Sequence, residues 1–177
     1  TLFRSGNFNE KTAKIYGDHL LMTSDREIMA DINKIFNVLK SPKTVTLESM
    51  KTFKNLLVCP NFMREKIEHL IDKEIEEAKA GRKAEIILKV NSLSDKGLIE
   101  KIYSAAEAGV EINMIVRGIY CAINQKSFKK KMNAISIVDE YLEHARVMYF
   151  HHKGSEEIYI SSADWMTRNL DYRVEAA

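Results

Sequence analysis

Residues 61–118 alternate twice between helix-like and strand-like patterns, and this alternation restricts the fold more than any other feature of the sequence. The patterns predict, in order, an amphipathic helix over 61–81, an apolar strand over 84–90, a second helix over 94–109 and a strand over 110–118. Gly81 and Gly109 are expected to end the two helices, and Ser94 to cap the second. A strand-helix-strand order implies a right-handed crossover and a parallel core, with both faces of the sheet covered.

The segments on either side complete an α/β pattern. Before residue 61 the sequence predicts a short strand at 18–23, a helix at 26–39, a polar connector at 41–52 and a strand at 53–60 that Pro60 closes. After Gly118 an irregular basic stretch leads to three strand-like segments, at 133–142, 145–150 and 156–161. The sequence HHKGS between the last two suits a hairpin turn. The predicted sheet is therefore mixed towards its end.

The composition is that of a globular protein, because 45% of the 177 residues are hydrophobic and 29% are charged. A formal net charge of +2 is compatible with an anionic ligand without requiring one. The sequence contains no apolar run of the roughly 20 residues needed to cross a bilayer, and no signal peptide opens it. It begins at Thr1 in the middle of a pattern, so it is expected to be a piece of a longer protein.

Two cysteines, Cys59 and Cys121, lack the spacing of metal ligands. We expect two buried thiols in a reducing compartment, with a disulfide as the alternative.

Polar side chains gather where the predicted strands end, which is the edge at which α/β sheets hold ligands. Arg117 follows one strand, and Ser161 and Ser162 follow another. His144 and Arg146 stand two residues apart at the entry to a strand, so their side chains are expected to share a face. An imidazole beside a guanidinium suits a phosphate, because arginine can bind two oxygens and histidine can transfer a proton or attack phosphorus.

The sequence SSADW, which follows the last predicted strand, allows two interpretations. In the first, the hydroxyl groups and amides hold oxyanions while Asp164 orients an imidazole. In the second, SSAD caps a short helix and Trp165 covers the core. Spacing alone leaves both open.

Four segments resemble the bacterial polyphosphate kinases, a family related in fold to phospholipase D. They are SGNFNEKTAKIYGDHLLMTSD, AEIILKVNSLSD, GVEINMIVRGIY and LEHARVMYFHHKGSEEIYISSADWMTRNLDYRVE, in the family's order. The resemblance implies an α/β fold with a phospholipase-D-like mixed sheet flanked by helices. It also implies that residues 1–45 are the C-terminal remnant of a first catalytic domain and that 46–177 form a second, nearly complete one.

The same resemblance assigns roles to individual residues. His144 matches the histidine of the second His-x-Lys/Arg pair and would be the catalytic residue in this chain. Residues implied to bind ATP or phosphate are Tyr16, Lys89, Asn91, Arg117, Arg146, Ser162, Asp164 and Arg168, with Ser92 as a further lining residue. Thr167 stands where the family pattern DWMPRNLD has proline.

The implied activity is reversible transfer of the γ-phosphate of ATP to polyphosphate through a phosphohistidine. The nucleophilic histidine of the family would precede Thr1, so the isolated chain is expected to be inactive. Mg²⁺ would act with ATP, its protein ligands lying outside this chain. The implied partners are ATP or ADP and polyphosphate, without nucleic acid. The full-length enzyme would be a cytoplasmic homo-oligomer, either free or peripherally attached to the inner membrane.

Two other functions remain open from the sequence. One is a different phospholipase-D-like phosphodiesterase, such as a nuclease or lipid transferase. The other is a non-catalytic module that binds polyanions or nucleotides through the lysines of SFKKKMN at 127–133. Three adjacent lysines are also what an ordinary solvated loop contains.

Overall fold

The computed structural model describes residues 2–4, 9–40, 53–60 and 62–177. The strands are β1 (Leu2–Arg4), β2 (Tyr16–Gly17), β3 (Leu20–Met22), β4 (Glu85–Val90), β5 (Glu111–Val116), β6 (Asn133–Ile135), β7 (Leu142–Glu143), β8 (Arg146–Phe150) and β9 (Glu157–Ser161). The helices are α1 (Glu10–Ala13), α2 (Arg26–Lys40), α3 (Phe62–Lys79), α4 (Lys96–Ala108) and α5 (Thr167–Tyr172). None of these described helices combines the length and apolar character that crossing a membrane requires.

The main sheet has the strand order β6-β5-β4-β8-β9. Strands β4, β5 and β6 run parallel, since α4 carries the chain back between β4 and β5. Strand β8 then joins β4 in antiparallel pairing, and β9 forms a hairpin with β8. The predicted mixed sheet flanked by helices is confirmed. Two small sheets accompany it, an antiparallel pair β1-β3 and a parallel pair β2-β7.

One face of the main sheet carries the core. The buried cluster joins apolar side chains of β4 and β5 to those of α3 and α4. In β4, Ile86, Leu88 and Val90 are buried, whereas the intervening Ile87 is 38% exposed. The expectation that both faces are covered is therefore wrong for the described residues. An unbroken apolar run predicts a strand, but it does not show whether helices cover one face of the sheet or both.

Three further expectations were wrong in detail. Residues 53–60 form no strand but a single bridge, at which Val58 faces Ala176 and Leu57 exchanges backbone hydrogen bonds of 2.8 and 2.9 Å with Ala177. Helix α4 is capped by Asp95 rather than Ser94, because the Asp95 carboxylate accepts from the Leu98 amide at 3.0 Å. Cys121 is exposed, although Cys59 is buried as expected.

Arg64 ties α3 to the N-cap of α4 and to the last turn of α5. Its guanidinium donates to both oxygens of Asp95, each at 2.7 Å, and to both oxygens of Asp171, at 2.9 and 3.0 Å. Thr167 also donates to Asp95, at 2.8 Å, so the position where the family pattern has proline here supplies a hydrogen bond. Fork-shaped donation to two carboxylates is the arrangement in which arginine bonds most strongly.

This network should make stability depend on pH in the acid range. Burial raises the pKa of Asp95, but hydrogen bonds from Arg64, Leu98 and Thr167 outweigh burial and lower it from 3.8 to about 2. A carboxyl with a depressed pKa stabilises the fold above its unfolded pKa and loses that contribution as the pH falls from about 4 to about 2. We expect Asp95→Asn to cost about 2 kcal/mol at pH 6, with the difference from the parent chain vanishing near pH 2.

Urea unfolding of the parent chain and Asp95→Asn at a series of pH values measures this difference. Thr167→Val is the matched control, because it removes one hydrogen bond to Asp95 and leaves the carboxylate and Arg64 in place. A pH-independent difference between the parent chain and Asp95→Asn would contradict the ionic account of this network.

Candidate functional site

The candidate site lies at the edge of the main sheet where the parallel strands end. Asn91 follows β4 and Arg117 follows β5, and backbone hydrogen bonds from Arg117 and Gly118 return to Val90 and Asn91. Because β8 runs antiparallel to β4, its first residue, Arg146, lies at this same edge. The topology therefore gathers groups that the sequence separates widely.

The carboxylate of Asp164 is the centre of the cluster. It accepts two hydrogen bonds from Arg146, at 3.2 Å from Nε and 3.0 Å from Nη2. It also accepts from the backbone amides of Asn91, at 2.7 Å, and Ser92, at 3.2 Å. Both side chains of the ion pair are buried, with exposures of 9% for Arg146 and 10% for Asp164. Asp164 therefore fixes the orientation of Arg146 and the path of the chain after β4.

This arrangement separates the two interpretations of SSADW. Helix α5 has Met166 at its N-cap, without a side-chain cap, so SSAD does not cap that helix. Trp165 is fully buried in the core, as the second interpretation expected. Asp164, one residue earlier, turns towards Arg146 instead. The segment thus supplies a core residue and a polar site residue side by side.

The imidazole of His144 lies between the carboxylate of Asp18 and the guanidinium of Arg146. Its Nδ1 lies 2.8 Å from Oδ1 of Asp18, and its Nε2 lies 3.3 Å from Nη1 of Arg146. A carboxylate can only accept, so the hydrogen-bond network assigns the Nδ1 proton to the Asp18 contact. Nη1 of Arg146 lies 3.5 Å from Nδ1 as well, so the guanidinium approaches both ring nitrogens. The side chain of His144 is 18% exposed, and that of Asp18 only 5%. The imidazole is therefore oriented but still accessible.

Tyr16 reaches His144 through the small sheet of β2 and β7. Backbone hydrogen bonds of 2.7 Å, from Leu142 to Ile15, and 3.2 Å, from His144 to Gly17, join the two strands. The rings of Tyr16 and His144 then meet edge to face, with centroids 4.8 Å apart. This pairing also brings Asp18 to His144.

Arg117 is linked to the cluster through Asn91. Its Nε donates to the side-chain oxygen of Asn91 at 2.9 Å. The side-chain NH₂ of Asn91 in turn donates to the backbone carbonyl of His144 at 3.3 Å. Gly118 allows the backbone after β5 to approach the backbone after β4, because a Cβ on residue 118 would lie only 2.9 Å from the Asn91 carbonyl oxygen. The partner of the Arg117 guanidinium in this contact is a neutral amide, so the contact leaves its positive charge uncompensated.

Two of the predicted site residues are engaged by partners outside this cluster, and a third is exposed. Lys89 is paired with Glu143 at 3.1 Å and donates to the Ala145 carbonyl at 2.9 Å. Ser162 donates to Glu175 and accepts from the Ala176 amide at 3.2 Å, so its hydroxyl serves the C-terminal segment. Arg168 is exposed in α5. The structure thus brings together Tyr16, Asn91, Arg117, His144, Arg146 and Asp164, and their roles stay predictions.

Sequence reasoning missed Asp18. It lies 126 positions before His144, and its contact depends on the β2-β7 pairing, which no local pattern indicates. The available signal was its place directly after Tyr16 and Gly17, where an acidic side chain follows a residue already assigned to the site.

The site's acidic groups are already engaged by Arg146, by His144 and by backbone amides. Asp164 accepts four hydrogen bonds and Asp18 contacts His144. Within the described residues, no group of three or more His, Cys, Asp or Glu side chains is placed to hold a metal ion. The geometry suits an anion better than a cation.

Comparison with known proteins matches the sequence to one family. Residues 1–45 match the model of polyphosphate kinase C-terminal domain 1, and residues 56–177 match that of C-terminal domain 2. The chain is 47% identical to a Yersinia pestis polyphosphate kinase and 44% identical to one from Escherichia coli K12, over 98% of its own length and 25% of theirs. It therefore spans about a quarter of these relatives.

A solved structure supports the same assignment. The crystal structure of polyphosphate kinase from Porphyromonas gingivalis superposes with a TM-score of 0.89 at 44% sequence identity, covering 99% of this chain and 26% of that one. The resemblance noted from the sequence and the predicted fold class are thereby confirmed. The chain belongs to the polyphosphate kinase family.

Proposed function

We propose that this chain forms one wall of the site at which a polyphosphate kinase moves the γ-phosphate of ATP reversibly onto polyphosphate. The observation that carries the proposal is the hydrogen-bonded connection from Arg117 through Asn91 to His144 at one sheet edge, with Arg146 beside the imidazole. Two guanidinium groups and one imidazole are the groups that a transferring phosphoryl needs for charge neutralisation and proton transfer.

In this proposal His144 is the proton-transfer group and contacts the phosphate. Asp18 holds the imidazole by Nδ1, so that Nε2 is the nitrogen that gives or takes the proton. Fixing the tautomer and ring orientation in advance lowers the cost of reaching a productive geometry. Tyr16, whose ring edge meets His144, would contact the nucleotide by stacking or through its hydroxyl.

The two arginines would neutralise the charge that develops on the transferring group. Arg146 is held rigidly by Asp164, with Nη1 directed to His144, so its contribution is positional as well as electrostatic. Arg117, whose contact is a neutral amide, has more positive charge to offer an incoming phosphate.

The proposed reaction also uses groups that the resemblance places outside this chain. The phosphohistidine would form on a histidine of the preceding half, which by the resemblance would lie opposite His144. Magnesium would assist by neutralising the nucleotide phosphates, but the engaged carboxylates of Asp18 and Asp164 do not fit a role as its ligands. Assembly into a homo-oligomer, a cytoplasmic location and peripheral attachment to the inner membrane remain predictions from the resemblance.

The lysine-rich loop has a weaker claim to function. Lys130 pairs with Glu111 at 3.5 Å, and its amide donates to the Ala106 carbonyl at 3.3 Å beside the end of α4. A cation at the C-terminus of a helix is favourable for the fold by itself. These contacts favour a structural interpretation of the loop over a polyanion-binding module.

A chimera tests the proposed function. The chain replaces the corresponding quarter of the Escherichia coli polyphosphate kinase, to which it is 44% identical. We expect the chimera to synthesise polyphosphate from ATP and Mg²⁺, and the 177-residue chain alone to remain at background, because the proposed reaction needs a second histidine.

Two outcomes would overturn the proposal. Polyphosphate synthesis by the isolated chain would show that the nucleophile lies within it. Cleavage of a phosphodiester by the chimera without ATP, in the absence of polyphosphate synthesis, would favour the phospholipase-D-like phosphodiesterase. The unmodified Escherichia coli enzyme is the positive control in both assays.

A further inference from the structure

Helix α2 contains a buried carboxylate that the proposed reaction does not use. Asp31 is 2% exposed. Its Oδ2 accepts from the backbone amides of Lys54, at 2.9 Å, and Asn55, at 2.8 Å, and its Oδ1 accepts from the Lys34 ammonium at 2.9 Å. A charged group is seldom buried unless several hydrogen bonds compensate it, and here the two backbone donors come from a segment distant in sequence.

The same helix face makes an apolar contact with that segment. Ile28, Ile32 and Ile35 pack against a small buried cluster formed by residues of 53–58. The Lys34 ammonium also lies 5.7 Å from the centre of the Phe53 ring. Asp31 is thus the buried polar centre of the docking surface between α2 and residues 53–58.

The docked helix belongs to the part of the chain that carries Tyr16 and Asp18. Strand β2, which bears Tyr16, is held to β7 by a ladder of only two residue pairs. A two-residue ladder is marginal by itself, because few backbone bonds offset the entropy of ordering the strand. Docking of α2 adds two hydrogen bonds from residues 54 and 55 to Asp31, together with the apolar contact.

We propose that Asp31 is a positioning residue, which locks α2 onto residues 53–58 and thereby keeps Tyr16 and Asp18 in contact with His144. Without it, β2 would leave β7 more often, and the Nδ1 side of the imidazole would lose its carboxylate. The importance of this for catalysis rests on the proposed function. The positioning itself does not depend on the proposed function, because the contacts it concerns form without any phosphate ligand.

The test uses nuclear magnetic resonance on the 177-residue chain. The ¹⁵N and ¹H signals of the His144 ring report its Nδ1 contact, with Asp18→Asn as the reference for its loss. Exchange of the Leu142 and His144 amides, which donate to Ile15 and Gly17, reports the β2-β7 ladder. We expect Asp31→Asn to move the ring signals towards the Asp18→Asn reference and to speed exchange of both amides at least about tenfold.

The control separates docking from helix stability. Asp25 caps α2 at its exposed end by accepting from the amides of Glu27 and Ile28, both at 2.9 Å. Asp25→Ala weakens the helix by about 1 kcal/mol and leaves the hydrogen bonds of Asp31 to Lys54 and Asn55 in place. Amides in β4 and β5 should keep their parent exchange rates in both variants, which shows that the main sheet remains folded.

Two results would overturn the proposal. The first is that Asp31→Asn leaves the His144 ring signals and the exchange rates of the Leu142 and His144 amides as they are in the parent chain. The second is that Asp25→Ala changes these signals and rates as much as Asp31→Asn does. If Asp31→Asn unfolds the whole chain, Lys34→Met serves instead, since it removes one hydrogen bond to Asp31 and keeps the aliphatic stem. It should shift the same signals in the same direction by a smaller amount, and an unchanged spectrum would count against the proposal.

Discussion

Asp164→Ala is expected to lower the free energy of unfolding of the 177-residue chain by about 3–5 kcal/mol. The substitution leaves the Arg146 guanidinium, which is only 9% exposed, without its counter-charge. It also removes the acceptor of the Asn91 and Ser92 amides, so two buried or half-buried donors lose their partner. Urea unfolding at neutral pH measures the loss, and Asp139→Ala, at an exposed carboxylate, should stay within about 0.5 kcal/mol of the parent.

A double-mutant cycle identifies the cause of that loss. Arg146→Met combined with Asp164→Ala removes both charges, so the penalty of a buried unpaired charge disappears. The double variant should therefore be more stable than the sum of the single losses predicts, by about 1–3 kcal/mol. Strictly additive losses would mean that Arg146 and Asp164 do not depend on each other, contrary to the geometry of the cluster.

The main elements of the fold were predictable because local patterns specify them. The helical periodicity of 61–81 and 94–109 and the apolar strands that follow produced α3, α4, β4 and β5 at nearly their observed bounds. The hairpin of β8 and β9 followed from two strand-like runs around a turn. The face on which α3 and α4 pack was not predictable, since an apolar strand such as β4 suits either one covered face or two.

The irregular parts depended on contacts that local patterns do not encode. Residues 53–60 are apolar enough for a strand, but their backbone partner is the C-terminal segment 175–177, so only one bridge forms. The boundary predicted between residues 45 and 46 falls in 41–52, which lies outside the described residues.

The candidate site was predictable to the extent that it is local. Alternation along a strand correctly placed His144 and Arg146 side by side, and the ends of β4 and β5 correctly placed Asn91 and Arg117 at one edge. The role of Asp164 as the partner of Arg146, rather than of an imidazole, depended on the hairpin register that sets Arg146 opposite Ser161. Distances of this kind arise from tertiary packing.

His144→Gln should have the largest effect on activity. Glutamine keeps a polar side chain of similar length but cannot exchange a proton near neutral pH, so the general acid-base contribution is lost while the local packing is largely kept. Removing such a group costs typically 10²–10⁴-fold in rate. The loss should appear in kcat for polyphosphate synthesis from ATP by the chimera, because proton transfer and charge contacts matter most in the transition state.

The matched control for this prediction is His69→Gln, at an exposed histidine of α3. It makes the same chemical change away from the site and should leave kcat within about twofold of the parent chimera. Urea unfolding of the 177-residue chain with each substitution checks that neither variant disrupts the fold.

The rate of polyphosphate synthesis by the His144→Gln chimera, relative to the parent and His69→Gln chimeras, tests the central claim most directly. The claim that this chain forms the His144 wall of a phosphoryl-transfer site predicts a loss of at least about 10²-fold with the fold intact. A folded His144→Gln chimera that retains the rate of the parent would contradict it, and would leave the cluster of His144, Arg146 and Asp164 with a structural role alone.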